Sequence, residues 1–149
     1  MELLMLRSVW TGPANLDELV HQTIAAGFDG IEGPIPEDPQ QRTKLGRSLR
    51  DNNLVFIAEA TTGSDPNSPK DWWIPRPDRT VEDHLEDLTW VVNHAAEMGA
   101  LFVSTMCGYD AWSWQQNVDF FGRALELEQQ SVVTFTPCRT RPSQLKTER

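Results

Sequence analysis

The stretch TVEDHLEDLTWVVNHAAEMGALFVSTM, residues 80–106, is the one whose reading decides the fold. Thr80 followed three residues later by Asp83 is a helix-opening signature, in which side chain and backbone cap each other. His84, Leu85, Leu88, Val91, Val92, Ala95 and Ala96 then recur at three- and four-residue steps, which keeps them on one helix face. Gly99 supplies the stop. ALFVSTM follows at once, short, apolar and partly β-branched, as a buried strand. A helix that hands over directly to a buried strand is half of a β-α-β crossover, the unit of parallel sheets.

The same alternation extends in both directions. Upstream, LVFIAEA (54–60) is a third strand by its length and apolar content. Before it, EDPQQRTKLGRSLRDNN opens on Asp38-Pro39, a cap with proline at the first helical position, and carries a thin stripe of Leu45 and Leu49. FDGIEGP gives a second strand ending near Glu32, after a helix stop at Gly27. Asn15 precedes a stripe of Leu16, Leu19, Val20 and Ile24, with Glu18 at the capping-box position, and Leu3 to Val9 reads as a first strand interrupted by Arg7. Downstream, Ser113 with Gln116 caps a fourth helix through Val118, Phe121, Ala124 and Leu125, and Val132 to Phe135 is a fifth strand. The long Pro-, Ser- and Asp-rich segment 61–79 falls between the third strand and the third helix. In a parallel α/β fold that is the carboxyl end of the strands, where ligands bind.

Five strands and four helices suit two architectures: a flavodoxin-like doubly wound domain, or just over half of a (βα)8 TIM barrel, which takes about 250 residues. The first strand-helix turn, VWTGPANLD, holds one glycine and a proline and makes a poor phosphate cradle. Response-regulator chemistry needs acids after the first strand, and Arg7, Ser8 and Trp10 stand there instead. These observations favour the partial barrel, an α/β fold with strands β1–β5 in a parallel sheet.

A net charge of −9 on 149 residues argues against a nucleic-acid footprint. No apolar run approaches the roughly 20 residues that span a bilayer, and the start MELLMLRSVW lacks the basic leader and cleavage site of a signal peptide. Cys107 and Cys138 form no disulfide framework or metal spacing, so a reduced, cytoplasmic setting is the default expectation. Charge is uneven: residues 138–149 carry a net +3, which leaves −12 on residues 1–137. The expectation is a domain over 1–137 and a basic, disordered tail over 138–149.

GFDGIEGP (27–34), the helix HLEDLTWVVNHAAEMGA leading to LFVSTMCGYDAWS (101–113), and FFGRALELEQ (120–129) resemble the xylose isomerase-like TIM barrel family. That family contains sugar and sugar-phosphate isomerases and epimerases and hydroxypyruvate isomerase-like proteins, and the likeness covers roughly residues 1–135. It implies a substrate that is a sugar or small hydroxy-carbonyl acid, and proton transfer beside a carbonyl aided by a divalent metal (Mg, Mn or Zn) in full-length relatives. In the family the metal ligands come from strands five to eight, and the fifth strand commonly reads Phe-Glu-Thr-His-Arg. Here Phe135-Thr136-Pro137-Cys138-Arg139 stands in that place. The resemblance therefore implies an N-terminal half without metal ligands or catalytic residues of its own, inactive alone. The alternative is a non-catalytic module that completes its barrel with another chain or self-associates through exposed sheet edges.

Trp10, Glu32, Glu59, Trp73, Asp110 and Trp112 are the candidate substrate-binding residues, all at strand ends or in the loops that follow. Aromatic faces suit sugar C–H surfaces and carboxylates suit hydroxyls. Each has a structural reading beside it: the tryptophans can seal the barrel mouth, the glutamates can be solvated or ion-paired, and Asp110 can cap the next helix. Met106 stands where many relatives have a histidine. Arg7, inside a strand, needs a partner, for which Glu32 and Glu59 are candidates. His84 and His94 lie about 80° apart around their helix and are no metal pair. His21 reads as a surface residue.

Overall fold

The computed structural model describes residues 3–9, 15–65 and 74–137. The expected tail 138–149, Trp10, Trp73 and Cys138 lie outside these residues.

Nine elements alternate among the described residues: β1 (Leu6–Ser8), α1 (Leu16–Ala25), β2 (Gly30–Pro34), α2 (Pro39–Asp51), β3 (Val55–Thr61), α3 (Val81–Met98), β4 (Phe102–Met106), α4 (Trp114–Gln130) and β5 (Phe135–Pro137). The strands form one parallel sheet in the order β1-β2-β3-β4-β5. This order decides between the two architectures. A doubly wound sheet reverses its strand order partway, whereas sequential parallel strands with right-handed crossovers place every helix on one face. The fold is therefore part of a (βα)8 barrel, and the flavodoxin-like alternative falls.

Local chemistry explains each boundary. Thr80 Oγ1 accepts from the Asp83 N–H while the Asp83 carboxylate accepts from the Thr80 N–H, and Ser113 and Gln116 repeat this reciprocity at α4. Asp38 caps α2 through the Gln40 N–H, with Pro39 behind it. At α1 the expected capping box is half formed. Asn15 accepts from the Asp17 and Glu18 amides, but the Glu18 carboxylate takes the Gln22 side chain instead of turning back. Glycine at position 30 answers to close approach: a Cβ there would overlap the Val55 carbonyl oxygen and the Leu6 side chain, so the strands could not pair.

Ile31, Phe56, Ala58, Ala60, Val103 and Phe135 share one core with the buried faces of the helices, among them Leu45, Leu88 and Phe120. Ile24 was expected in that core but is 46% exposed; Thr23 is buried in its place, its hydroxyl donating to the Leu19 carbonyl. The first strand is shorter than its apolar run, since Leu3, Leu4 and Met5 are exposed. The fifth begins later, at Phe135, because Val132 stands 90% exposed in the turn after α4.

Candidate functional site

The parallel sheet aligns its carboxyl ends at one rim, where the β-to-α loops gather. A cleft of about 480 Å³ opens there, running from Pro34 and Ile35 at the end of β2, past Glu59 and Thr61 of β3, to α3. Asp87, Trp90 and Val91 form its helical wall, and Glu37, Ser64 and Arg79 complete the lining. The helix is held to β3 by a direct link, the Gly63 N–H donating to Asp87 Oδ2 at 2.7 Å. Asp87 in turn receives Arg79 Nη2 on both oxygens at 3.1 Å, and Arg79 Nη1 lies 3.5 Å from Asp83 Oδ1. Arg42 of α2 borders the cleft: its Nη1 donates to the Pro36 and Glu37 carbonyls, and its guanidinium lies 5.6 Å from the centre of the Trp90 ring.

A second, more open cleft of about 710 Å³ lies across Arg79, between the approach to α3 (Pro77–Glu82) and the β4-α4 loop with Tyr109, Ala111 and Trp112. The two clefts share Arg79 as a partition.

Beneath the rim sits a buried node. His84 is fully buried, with Nδ1 paired to Thr62 Oγ1 at 2.8 Å, and the same oxygen accepts from the Gly108 N–H at 3.3 Å. The ring meets Trp112 at 4.6 Å between centroids and Phe120 at 6.1 Å, both edge-on. Its Nε2 has no hydrogen-bond partner among the described residues. Burial pushes the His84 pKa below its ordinary value and Arg79 adds to this, while Asp87 and Asp83 pull the other way. The sign of the pH effect follows. The unfolded chain takes up the proton near pH 6.5 and the folded chain only lower, so protonation favours unfolding. Stability is expected to be level above about pH 7 and to fall progressively as pH drops through 6.5, before carboxylates titrate. Urea midpoints at pH 7.5, 6.5 and 5.5 measure this, and a midpoint that holds or rises on acidification contradicts the described environment of the ring.

The sequence-expected residues divide. Glu59 lines the first cleft and Trp112 the second, while Trp112 also packs on His84 and Phe120. Glu32 is half-buried on β2 in register with Ile57, and it is not among the residues lining the first cleft. Asp110 is exposed in the β4-α4 loop and does not cap α4, a role taken by Ser113. Trp10 and Trp73 lie outside the described residues. Arg7 finds neither glutamate: its Nη2 donates to Gln22 Oε1 of α1 at 2.8 Å. Arg79, Asp87 and Trp90 were missed, because the reading of α3 followed its apolar stripe. The available signal was an aromatic beside polar positions near the middle of α3.

The divalent metal implied by the family resemblance does not fit the residues described. Among them no three His, Cys, Asp or Glu side chains converge into a group able to hold a metal ion. No helix of the described residues is long and apolar enough to cross a membrane.

Neither a family model nor a curated protein sequence matches the chain. Among solved structures, a beta-arabinopyranosidase superposes with a TM-score of 0.57 at 12% identity, over 90% of this chain and 22% of that one. The carboxyl transferase domain from Rhizobium etli pyruvate carboxylase, with 3-bromopyruvate, matches with a TM-score of 0.46 at 14% identity, over 78% and 18%. The chain thus spans about a fifth of the length of these structures, and the likeness to the first bears on the fold alone, part of a TIM barrel.

Proposed function

We propose that this chain supplies the polyol-holding wall of a barrel related to the xylose isomerase-like sugar isomerases and epimerases, binding a sugar or small hydroxy-carbonyl compound without carrying out the proton transfer itself. The observation that carries the reading is the cleft at the carboxyl ends of β2 and β3. There Glu59, a candidate from its place near a strand end, lines the same cleft as Asp87, Thr61, Ser64 and Trp90. Carboxylates and hydroxyls around an aromatic edge are the groups that order sugar hydroxyls and cover C–H surfaces. Glu32, Asp110 and Trp112 would extend this wall around the rim, and Trp10 and Trp73, outside the described residues, are proposed as further substrate-binding residues from sequence alone. Without converging metal ligands among the described residues, no step is assigned to Mg, Mn or Zn on this chain. Glu59→Gln tests the assignment: the dissociation constant of a ketose, followed by calorimetry, is expected to rise about tenfold with the fold unchanged by circular dichroism. An unchanged constant removes Glu59 from the site.

A second reading, assembly with another copy, is favoured by one specific feature. Trp114, Val118, Phe121 and Leu125 recur at four-, three- and four-residue steps on α4, and all are exposed, Trp114 at 82%. Such spacing is a seam for a neighbouring helix. The outer edge of β5 likewise has no strand partner among the described residues. The reading pairs this seam with the same seam of a second copy. Light scattering is expected to give a dimer at micromolar concentration that Val118→Lys with Leu125→Lys converts to monomer. A monomeric parent chain rules the assembly out.

A further inference from the structure

We propose that His84 is an acid-released latch: neutral, it ties the ends of β3 and β4 to α3, and on protonation it frees both rim segments while the sheet beneath stays folded.

The imidazole sits where these elements meet. Nδ1 pairs with Thr62 Oγ1 at 2.8 Å, directly after β3, and that oxygen also accepts from the Gly108 N–H at 3.3 Å, just past β4. One turn along α3, Asp87 accepts from the Gly63 N–H at 2.7 Å. Thr62 and Gly63 are thereby fixed to α3 at two successive residues, and Gly108 is fixed through Thr62. Asp87 is a wall of the first cleft, and Trp112, packed on the ring at 4.6 Å, lines the second. One ring underlies both.

An added proton has no place here. Nε2 is buried without a hydrogen-bond partner among the described residues, and it faces Gly63 so closely that a Cβ there would overlap it. Trp112 and Phe120, which meet the ring edge-on, carry no side-chain acceptor. The charged and titratable groups nearby do not supply one either. On the α3 side Asp87 is taken up by Gly63 and Arg79, and Asp83 by Thr80 and Arg79. Glu59 of β3 alternates to the sheet face opposite Ala58 and Ala60, and Asp65 is bonded to Arg76. Past β4, Cys107 donates to Thr105, Tyr109 lines the second cleft and Asp110 is exposed. On α4, Arg123 is shared between Asp119 and Glu82. An imidazolium held in this site would be a buried charge with an unmet donor, which is costly. What can give is the backbone at Gly63, which has no side chain and already lies in the left-handed region at φ +73°. Its displacement breaks the bond to Asp87, and loss of the Thr62 contact releases Gly108.

The test is amide hydrogen exchange of the full chain, followed by NMR without any ligand. After correction for intrinsic rates, the Gly63 and Gly108 amides are expected to exchange about tenfold faster at pH 5.5 than at pH 7.5, because the released ring takes its proton near pH 6.5. That exchange should be insensitive to low urea, the mark of local opening. The Val103 amide, bonded to the Thr134 carbonyl within the sheet, should instead follow urea as global unfolding does. In His84→Gln the acid-dependent step should vanish at both glycines. Exchange of Gly63 and Gly108 only in the urea-dependent step shared with Val103 overturns the latch, as does an acid step that survives in His84→Gln. Should that variant not fold, the urea dependence in the parent chain decides alone.

Discussion

Gly63→Ala is expected to destabilise the protein by about 3 kcal/mol and to lower the melting temperature by about 10 °C. Gly63 sits at the end of β3 with φ +73°, in the left-handed region, where an alanine costs about 1–2 kcal/mol. Its site is also closed. A Cβ there would overlap Nε2 and Cε1 of the His84 ring, which is fully buried and held by Thr62 and Trp112. Forcing such a packed ring to move adds about 1–3 kcal/mol. Gly99 provides the control within the same molecule. It has the same φ of +73° at the end of α3, but a Cβ there meets nothing within 4 Å. Gly99→Ala should therefore show the conformational cost alone. Chemical denaturation of both variants measures the difference, and equal losses would mean that His84 does not pack against Gly63.

Phe120→Ala should cost about 3–5 kcal/mol, a large share of the roughly 5–15 kcal/mol that holds a typical domain folded. Phe120 is fully buried and joins α4 to the node beneath the rim, with ring centroids 5.3 Å from Trp112 and 6.1 Å from His84. Removing it leaves a void that this interior cannot fill by a small shift, because His84 is tied to Thr62. The two substitutions should not add. The void gives the imidazole ring somewhere to go, so Gly63→Ala should cost less in the Phe120→Ala background. A loss below 1 kcal/mol for Phe120→Ala alone would show that α4 does not close on α3 as described.

These sites show why some of the molecule was legible in its sequence and some was not. The fold was, because period and punctuation are local. The Thr80–Asp83 and Ser113–Gln116 boxes, the Asp38-Pro39 start and the Gly99 stop all stand where residue order placed them. The phase of a helix with two apolar faces was not. Val118, Phe121, Ala124 and Leu125 read as one stripe, yet Ala124 turns inward with Phe120 while the other three stay exposed. Periodicity fixes spacing, and only neighbouring elements decide which face is covered. Partnerships across elements were equally hidden. Arg7 reaches Gln22 and no glutamate, and the Gly63 N–H meets Asp87 only once β3 and α3 are packed together. Within the site, Glu59 was readable as an acid near a strand end, whereas Trp90 and Asp87 needed the helix to be placed against the rim.

The cleft is proposed to hold a polyol on which the described residues move no proton. Proton NMR of a ketose in deuterium oxide, with the full chain and Mg²⁺ present, tests both halves in one sample. Saturation transfer from the protein to the sugar C–H groups is expected, with no deuterium appearing at the carbon beside the carbonyl beyond the rate without protein. Deuterium incorporation above that background, or the absence of any saturation transfer, would contradict it.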